Sequence, residues 1–231
     1  MNKYDIVYFL KNDIDSAELK YSLRSVAKNF PHNRLWFVGG QPKDLMPDVR
    51  LAIKQNAPTK WENVRNMLQK ICSNDDITES FWLFNDDFFI MKPWESDEPM
   101  YNDSLEHHIQ HIESRHDNKK TEYTVNLRKC KEVLEAAGYG TLNYAIHCPM
   151  LIDRKKMLET LDKFPDCPMF RSLYGNMHEI GGMQHCDCKV AGFDRIVEDT
   201  WASTTDATFR LGRIGRYIRK SFPDPCVYER Q

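Results

Sequence analysis

Phe81-Trp82-Leu83-Phe84-Asn85-Asp86-Asp87-Phe88-Phe89-Ile90 runs apolar up to two adjacent carboxylates and then turns apolar again. Burying one ionised carboxylate without a partner is expensive, and two side by side are worse. A divalent cation relieves that cost, because hard cations take oxygen ligands. Asp86 and Asp87 therefore read as a metal site at the mouth of a sheet, a placement that suits a substrate carrying phosphates. The competing reading is a strand-end turn whose Asp side chains cap backbone amides.

Outward from this run, the preceding chain alternates strands and helices. Asp5-Ile6-Val7-Tyr8-Phe9-Leu10 reads as a buried first strand, followed by the polar turn Lys11-Asn12-Asp13-Ile14-Asp15. Leu19, Leu23 and Val26 recur at helical spacing, which predicts a helix from Ser16 to Lys28 capped by Asp15 or Ser16. Leu35-Trp36-Phe37-Val38 is a second buried strand closed by Gly39-Gly40, and Arg50 to Gln55 reads as a short third one. Thr59-x-x-Glu62 is a capping box opening a helix with the stripe Trp61, Val64, Met67, Leu68 and Ile71. Ser80 to Met91 then reads as one strand with the carboxylates at its end. Strand–helix–strand with short connections implies right-handed crossovers and parallel pairing. Ligands of such sheets sit beyond the carboxyl ends of the strands, where Asp86, Asp87 and the Lys11–Asp13 loop converge.

The second half is less regular. Leu105 to Lys120 is polar and His-rich and reads as exposed. Thr124 to Ala137 reads as a helix ended by Gly138 and Gly140. Asp153 caps a short helix carrying Met157, Leu158 and Leu161. From Phe164 onward Pro, Gly, Cys and His suggest loops packed over a site.

With 231 residues, 41% hydrophobic and 12% aromatic, the chain can bury one sizeable core, which excludes a disordered protein. A net charge of -2 neither demands nor excludes an anionic partner. No secretory signal opens the sequence and no apolar stretch is long enough to span a bilayer. The seven scattered cysteines then read as reduced thiols of a cytoplasmic protein. No repeat or linker marks a domain boundary.

Several motifs in order resemble known families. Asp5–Tyr8, Glu18–Ser25 and Phe84–Phe89 resemble the opening half of Stealth-type sugar-phosphate transferases. Together with Tyr144–Met150, Arg171–Asn176, Asp187–Lys189, Ser203–Asp206, Phe222-Pro223 and Tyr228-Glu229, they look like a group of phage-encoded glycosyltransferases. That resemblance implies a GT-A-like α/β fold. Its Rossmann-like, mostly parallel central sheet is flanked by helices, and its C-terminal part is irregular and helical. It implies one domain over 1–231, with a nucleotide- and metal-binding half (1–95) and an acceptor half with the C-terminal helix (96–231). It further implies a Mn²⁺ or Mg²⁺ ion and a nucleotide-sugar donor, a UDP-sugar first. The family pattern is Asp-x-Asp, whereas this chain has Asn85-Asp86-Asp87. Asp87 is read as a direct ligand, Asp86 as direct or through water, and His147 as a late addition to the metal shell or an orienter of the acceptor hydroxyl. Lys11, Asn12, Arg24, Asn63, Asn85, Asp86 and Asp87 are the candidate donor-binding residues. Asp187, Arg171, His147 and Lys189 are the candidate catalytic ones, with Glu179 and Asp206 as further carboxylates to test as base.

Two other clusters compete with blander readings. His178, His185, Cys186 and Cys188 invite zinc, but their spacing matches no common structural zinc pattern. His107 and His111 lie one helical turn apart beside His108 and His116, which also fits a solvated helix. Arg210, Arg213, Arg216, Arg219 and Lys220 form a basic C-terminal segment. It reads as the polar side of an amphipathic helix with Leu211, Ile214, Tyr217 and Ile218 inward, or as a phosphate-contacting stripe. The acceptor readings are a hydroxymethylated pyrimidine in phage DNA or a surface or capsular glycan. Transfer of a sugar 1-phosphate and non-catalytic binding of DNA or glycan are the alternatives, all in an infected or bacterial host cell.

Overall fold

The computed structural model describes residues 4–12, 17–115 and 120–230. The expected cap at Asp15 or Ser16, the loop residues Asp13 and Ile14, and His116 lie outside the described residues.

Period-two burial organises the main sheet. Strand β1 (Asp5–Leu10) sends Ile6, Tyr8 and Leu10 to one face and Val7 to the other. After helix α1 (Ala17–Asn29), β2 (Leu35–Gly39) repeats this with Leu35 and Phe37 against Trp36 and Val38. The short β3 (Val49–Leu51), helix α2 (Lys60–Cys72) and β4 (Ser80–Phe84) follow. The sheet order is β3-β2-β1-β4-β7, where β7 is Met150–Asp153. All neighbours pair parallel except β7, which runs antiparallel to β4. This is a mixed α/β architecture with a mostly parallel central sheet. Leu19, Leu23 and Val26 of α1 pack on one face; Met67, Leu68 and Ile71 of α2 pack on the other. Apolar residues on both faces are what a doubly covered parallel sheet requires.

The capping box Thr59–Glu62 forms as the sequence predicts, with Thr59 Oγ1 accepting from the Glu62 amide at 3.2 Å. The predicted third strand is three residues, Val49–Leu51, rather than Arg50 to Gln55. In the predicted stripe of α2, Trp61 and Val64 are only half-buried.

The run from Ser80 to Met91 is not one strand. It breaks at Asn85–Asp87, and β5 (Phe88–Ile90) joins a different sheet. The reason is pairing: β5 finds its partner in β10 (Trp201–Thr204), antiparallel, and β10 also carries β9 (Lys189–Val190) in parallel. An apolar run buried in both sheets shows no change of period where it crosses between them.

A third core gathers α3 (Leu105–Arg115), α4 (Glu122–Ala136) and α6 (Phe170–Met177). The Leu105–Lys120 segment is therefore not simply exposed, since Leu105 and Ile109 are buried there. Between β5 and α3 lies β6 (Met100–Tyr101), which pairs with β8 (Met183–Gln184). Helix α5 (Arg154–Lys163) starts at Asp153, whose side chain accepts from the Lys156 amide at 3.0 Å as predicted.

The chain ends in α7 (Asp206–Leu211) and α8 (Arg213–Ser221). Ile214 and Ile218 pack inward, but Leu211 is 69% and Tyr217 40% exposed, against the sequence expectation. The break at Gly212 between the two helices turns Leu211 outward. No helix among the described residues is long and apolar enough to cross a membrane.

Candidate active site

Because β1, β2 and β4 run parallel, Leu10, Gly39 and Phe84 end at one edge of the sheet, and the acidic turn opens there. The turn is short: the Phe88 amide returns to the Asn85 carbonyl at 3.3 Å. The second sheet then delivers partners to it. Lys189, Ser203 and Phe88 occupy adjacent register positions across β9, β10 and β5. Ser203 Oγ donates to Asp87 Oδ2 at 2.9 Å, and Lys189 Nζ forms an ion pair with the same oxygen. Asp87 is thereby compensated directly, whereas Asp86 has no side-chain ion pair among the described residues. Burial first, then the charge of Asp87, pushes the Asp86 carboxyl above its ordinary value, against the pull of a backbone amide and of Lys11 and Lys189.

A third carboxylate belongs to this cluster. Glu18, in the first turn of α1, accepts from Thr204 Oγ1 at 2.6 Å. Burial, with Asp87 and Asp86 nearby, raises its pKa to about 7. Sequence reasoning assigned no role to Glu18, Ser203 or Thr204, although all three fall inside the segments quoted for the resemblance. The available signal was Glu18 at a helix start facing the carboxyl edge of the strands.

On the other side of the turn sits an imidazole–carboxylate pair. His147 Nδ1 lies 2.8 Å from Asp187 Oδ2, and the amides of His147 and Lys189 donate to Asp187 Oδ1 at 3.2 and 3.1 Å. Burial alone would raise the Asp187 carboxyl, but the His147 ring and these two amides hold it below its ordinary value. Asp187 is thus an anion that fixes the ring tautomer, leaving Nε2 of His147 as the basic nitrogen. His147, Asp187, Asn85 and Arg171 line a cavity of about 500 Å³ whose apolar wall includes Phe9, Trp61 and Tyr123.

Arg171 serves the backbone. Its Nη1 donates to the carbonyls of Ile146 and Cys148, on either side of His147, and its guanidinium lies 5.6 Å from the Phe88 ring centroid. Burial pulls its pKa below the ordinary value. The residue therefore stitches the His147 loop in place.

The structure does not bring all the sequence candidates together. Arg24 binds Glu229 in a bidentate pair at 2.7 and 2.9 Å and takes the carbonyls of Phe222 and Pro223, which commits it to the C-terminal segment. Asn63 bonds Ala57 and Thr59 at the start of α2. Lys11 is exposed and bears on Asp86 through charge, while Asn12 Oδ1 accepts from Gln55 at 3.3 Å. Asp206 pairs with Arg210, and Glu179 is exposed beyond α6. Asp86, Asp87 and His147 do not form a three-donor set; among the described residues the one group of this kind is His185, Cys188 and Asp199. Of the basic segment, Arg219 is tied to the Phe209 carbonyl and ring, leaving Arg213, Arg216 and Lys220 exposed.

The oxygen chemistry of the acidic turn still fits a hard dication. Two adjacent carboxylates, one of them raised by burial and by its neighbour's charge, suit an ion that completes its shell with substrate phosphates and water rather than protein donors.

No family model matches the chain, and neither does any curated protein. Among solved structures, an active-site mutant of LgtC matches at 13% identity and a TM-score of 0.42, covering 74% of this chain and 70% of that one. The galactosyltransferase LgtC with donor and acceptor sugar analogues matches at 13% and 0.40 over the same shares. The glycosyltransferase GlyE of Streptococcus pneumoniae TIGR4 matches at 10% and 0.39, covering 96% of this chain and 53% of that one. Likeness this distant leaves the chemistry to be argued from the residues themselves.

Proposed function

We propose that the protein transfers a sugar from a nucleotide-sugar donor to an acceptor hydroxyl, on a GT-A-like domain spanning residues 1–231. The observation carrying this reading is the acidic turn at the carboxyl edge of the parallel sheet, flanked by a cation on one side and by an oriented imidazole above a cavity on the other. Asp86 and Asp87 would hold Mg²⁺ or Mn²⁺, which would supply Lewis-acid stabilisation of the departing diphosphate. Lys189 adds fixed positive charge beside Asp87, where negative charge develops. His147, held by Asp187, takes the acceptor hydroxyl proton at Nε2. Arg171 keeps the His147 loop in register with the turn. The aromatic wall of the cavity, Trp61 and Tyr123, covers one face of a ring substrate and excludes water.

The acceptor is proposed as a hydroxymethylated pyrimidine of duplex DNA, supported by the exposed Arg213, Arg216 and Lys220 of α8. A screen of nucleotide sugars with Mn²⁺, reading release of nucleoside diphosphate, tests the reaction. Release that disappears with chelator and in Asp87→Asn supports it; no release from any donor, with no thermal stabilisation by a nucleoside diphosphate and Mn²⁺, overturns it. Release of monophosphate instead would identify a sugar-phosphate transferase. DNA binding that does not weaken with salt, or no DNA binding at low salt, overturns the acceptor.

A further inference from the structure

We propose a second metal site, separate from the acidic turn, in which His185 Nε2, Cys188 Sγ and Asp199 Oδ2 bind one zinc-class divalent ion. The three ligand atoms already lie within 4.8 Å of one another. A tetrahedral ion with N and O ligands at about 2.0–2.1 Å and S at about 2.3 Å sets ligand–ligand edges of about 3.3 Å (N···O) and about 3.5 Å (S···O). The observed edges are 3.3 Å from His185 Nε2 to Asp199 Oδ2 and 3.8 Å from Cys188 Sγ to the same oxygen. The donor set mixes imidazole, thiol and carboxylate, which zinc accepts and a hard cation does not.

The surroundings prepare each ligand. His185 Nδ1 lies 2.7 Å from the Cys186 carbonyl, which can only accept, so this nitrogen carries the proton and Nε2 presents a lone pair. Asp199 Oδ1 is taken by the Thr200 amide at 2.7 Å, leaving Oδ2 for the ion. The His185 ring also lies against Trp201, centroids 4.6 Å apart. With acceptors at both ring nitrogens, the position between His185 Nε2 and Asp199 Oδ2, 3.3 Å apart, calls for a cation, met by a second ring proton or by a metal ion that displaces it. Binding exchanges the Cys188 S–H bond for a sulfur–metal bond, and the proton leaves to solvent. Cys188 is buried, and His185 lines an open pocket with His107, His108 and His111, which gives an ion its way in and leaves the fourth position to water.

The site fastens the 185–188 segment to the start of β10. Cys188 sits between Asp187 and Lys189, the residues that orient His147 and pair with Asp87. A metal clip there would hold both from behind.

Cobalt(II), as a spectroscopic stand-in for zinc, tests this on the full chain with a phosphine reductant present. One equivalent should give a thiolate-to-cobalt charge-transfer band with intense tetrahedral d–d bands, and zinc should bleach both. Cys188→Ser should abolish the charge-transfer band, and Asp199→Asn should weaken cobalt binding at least about tenfold. Asp87→Asn should leave the spectrum unchanged, so failure of this site and failure of the sugar-transfer reading are read separately. Absence of the band, its survival in Cys188→Ser, or unaltered affinity in Asp199→Asn overturns the proposal; the last stands alone if Cys188→Ser does not fold.

Discussion

Glu18 offers the sharpest test of the acidic cluster. Its carboxyl is raised to about 7 by burial and by Asp87 and Asp86. The folded protein therefore holds a proton that the unfolded chain releases near the ordinary carboxylate value. Stability accordingly falls as pH rises from about 4.5 through about 7, because over that window the folded state binds more protons than the unfolded one. A tenfold difference in proton affinity between the two states is worth about 1.4 kcal/mol, and solvent screening of a half-buried side chain leaves about 1–2 kcal/mol in all. Glu18→Gln keeps an oxygen for Thr204 Oγ1 and removes the charge. At pH 8, without divalent ions, it should stabilise the protein by that amount, roughly 2–8 °C in melting temperature for a chain of this size. At pH 5, where the unfolded carboxyl is already largely ionised and the folded one is not, the gain should shrink to about a quarter of that. Circular-dichroism melts at both pH values decide it. No gain at pH 8, or an equal gain at pH 5, would refute the account of a crowded, undercompensated acidic cluster.

Asp187→Asn should lower turnover by about 10²–10⁴-fold while the protein stays folded, since the ring loses the anion that fixes its tautomer; unchanged turnover in a donor assay would remove His147 as base. Asp5 is fully buried and accepts from Trp36 Nε1 at 2.9 Å, Asn33 at 2.8 Å and Arg34 at 3.0 Å. Asp5→Ala should cost about 3–5 kcal/mol in a urea titration, and a loss under about 1 kcal/mol would show that these donors find water instead. A Cβ at Gly40 would meet the Lys11 carbonyl oxygen at 1.9 Å, so Gly40→Ala should displace the β1 exit loop and weaken binding of nucleoside diphosphate in calorimetry. Wild-type affinity in that variant would free the loop of any part in the site.

Much of the first half was legible because its signal is local. The alternation in β1 and β2, the spacing of Leu19, Leu23 and Val26, and the capping box at Thr59 each specify an element from a few neighbours. The change of sheet at Asn85 was not legible, since pairing with β10 depends on residues more than a hundred positions away. The same distance hides Ser203 and Thr204 from Asp87, and Glu18 lies well outside its local neighbourhood too. Arginines were the least readable residues. Arg24 and Arg171 answer backbone carbonyls, and nothing in sequence distinguishes that use from phosphate binding. Spacing also argued against zinc at His178, His185, Cys186 and Cys188; His178 instead bonds Thr160 and the Lys156 carbonyl, while Asp199 supplies the third donor beside His185 and Cys188.

The Asn85–Asp87 turn is the seam where the chain passes from the parallel sheet into the sheet of β5, β10 and β9. A ligand clasped there loads both slabs at once. Its arrival should register as slowed amide exchange in β9 and β10 as well as in β4. Small slippage of one slab over the other would conversely spread the acidic pair and loosen its grip.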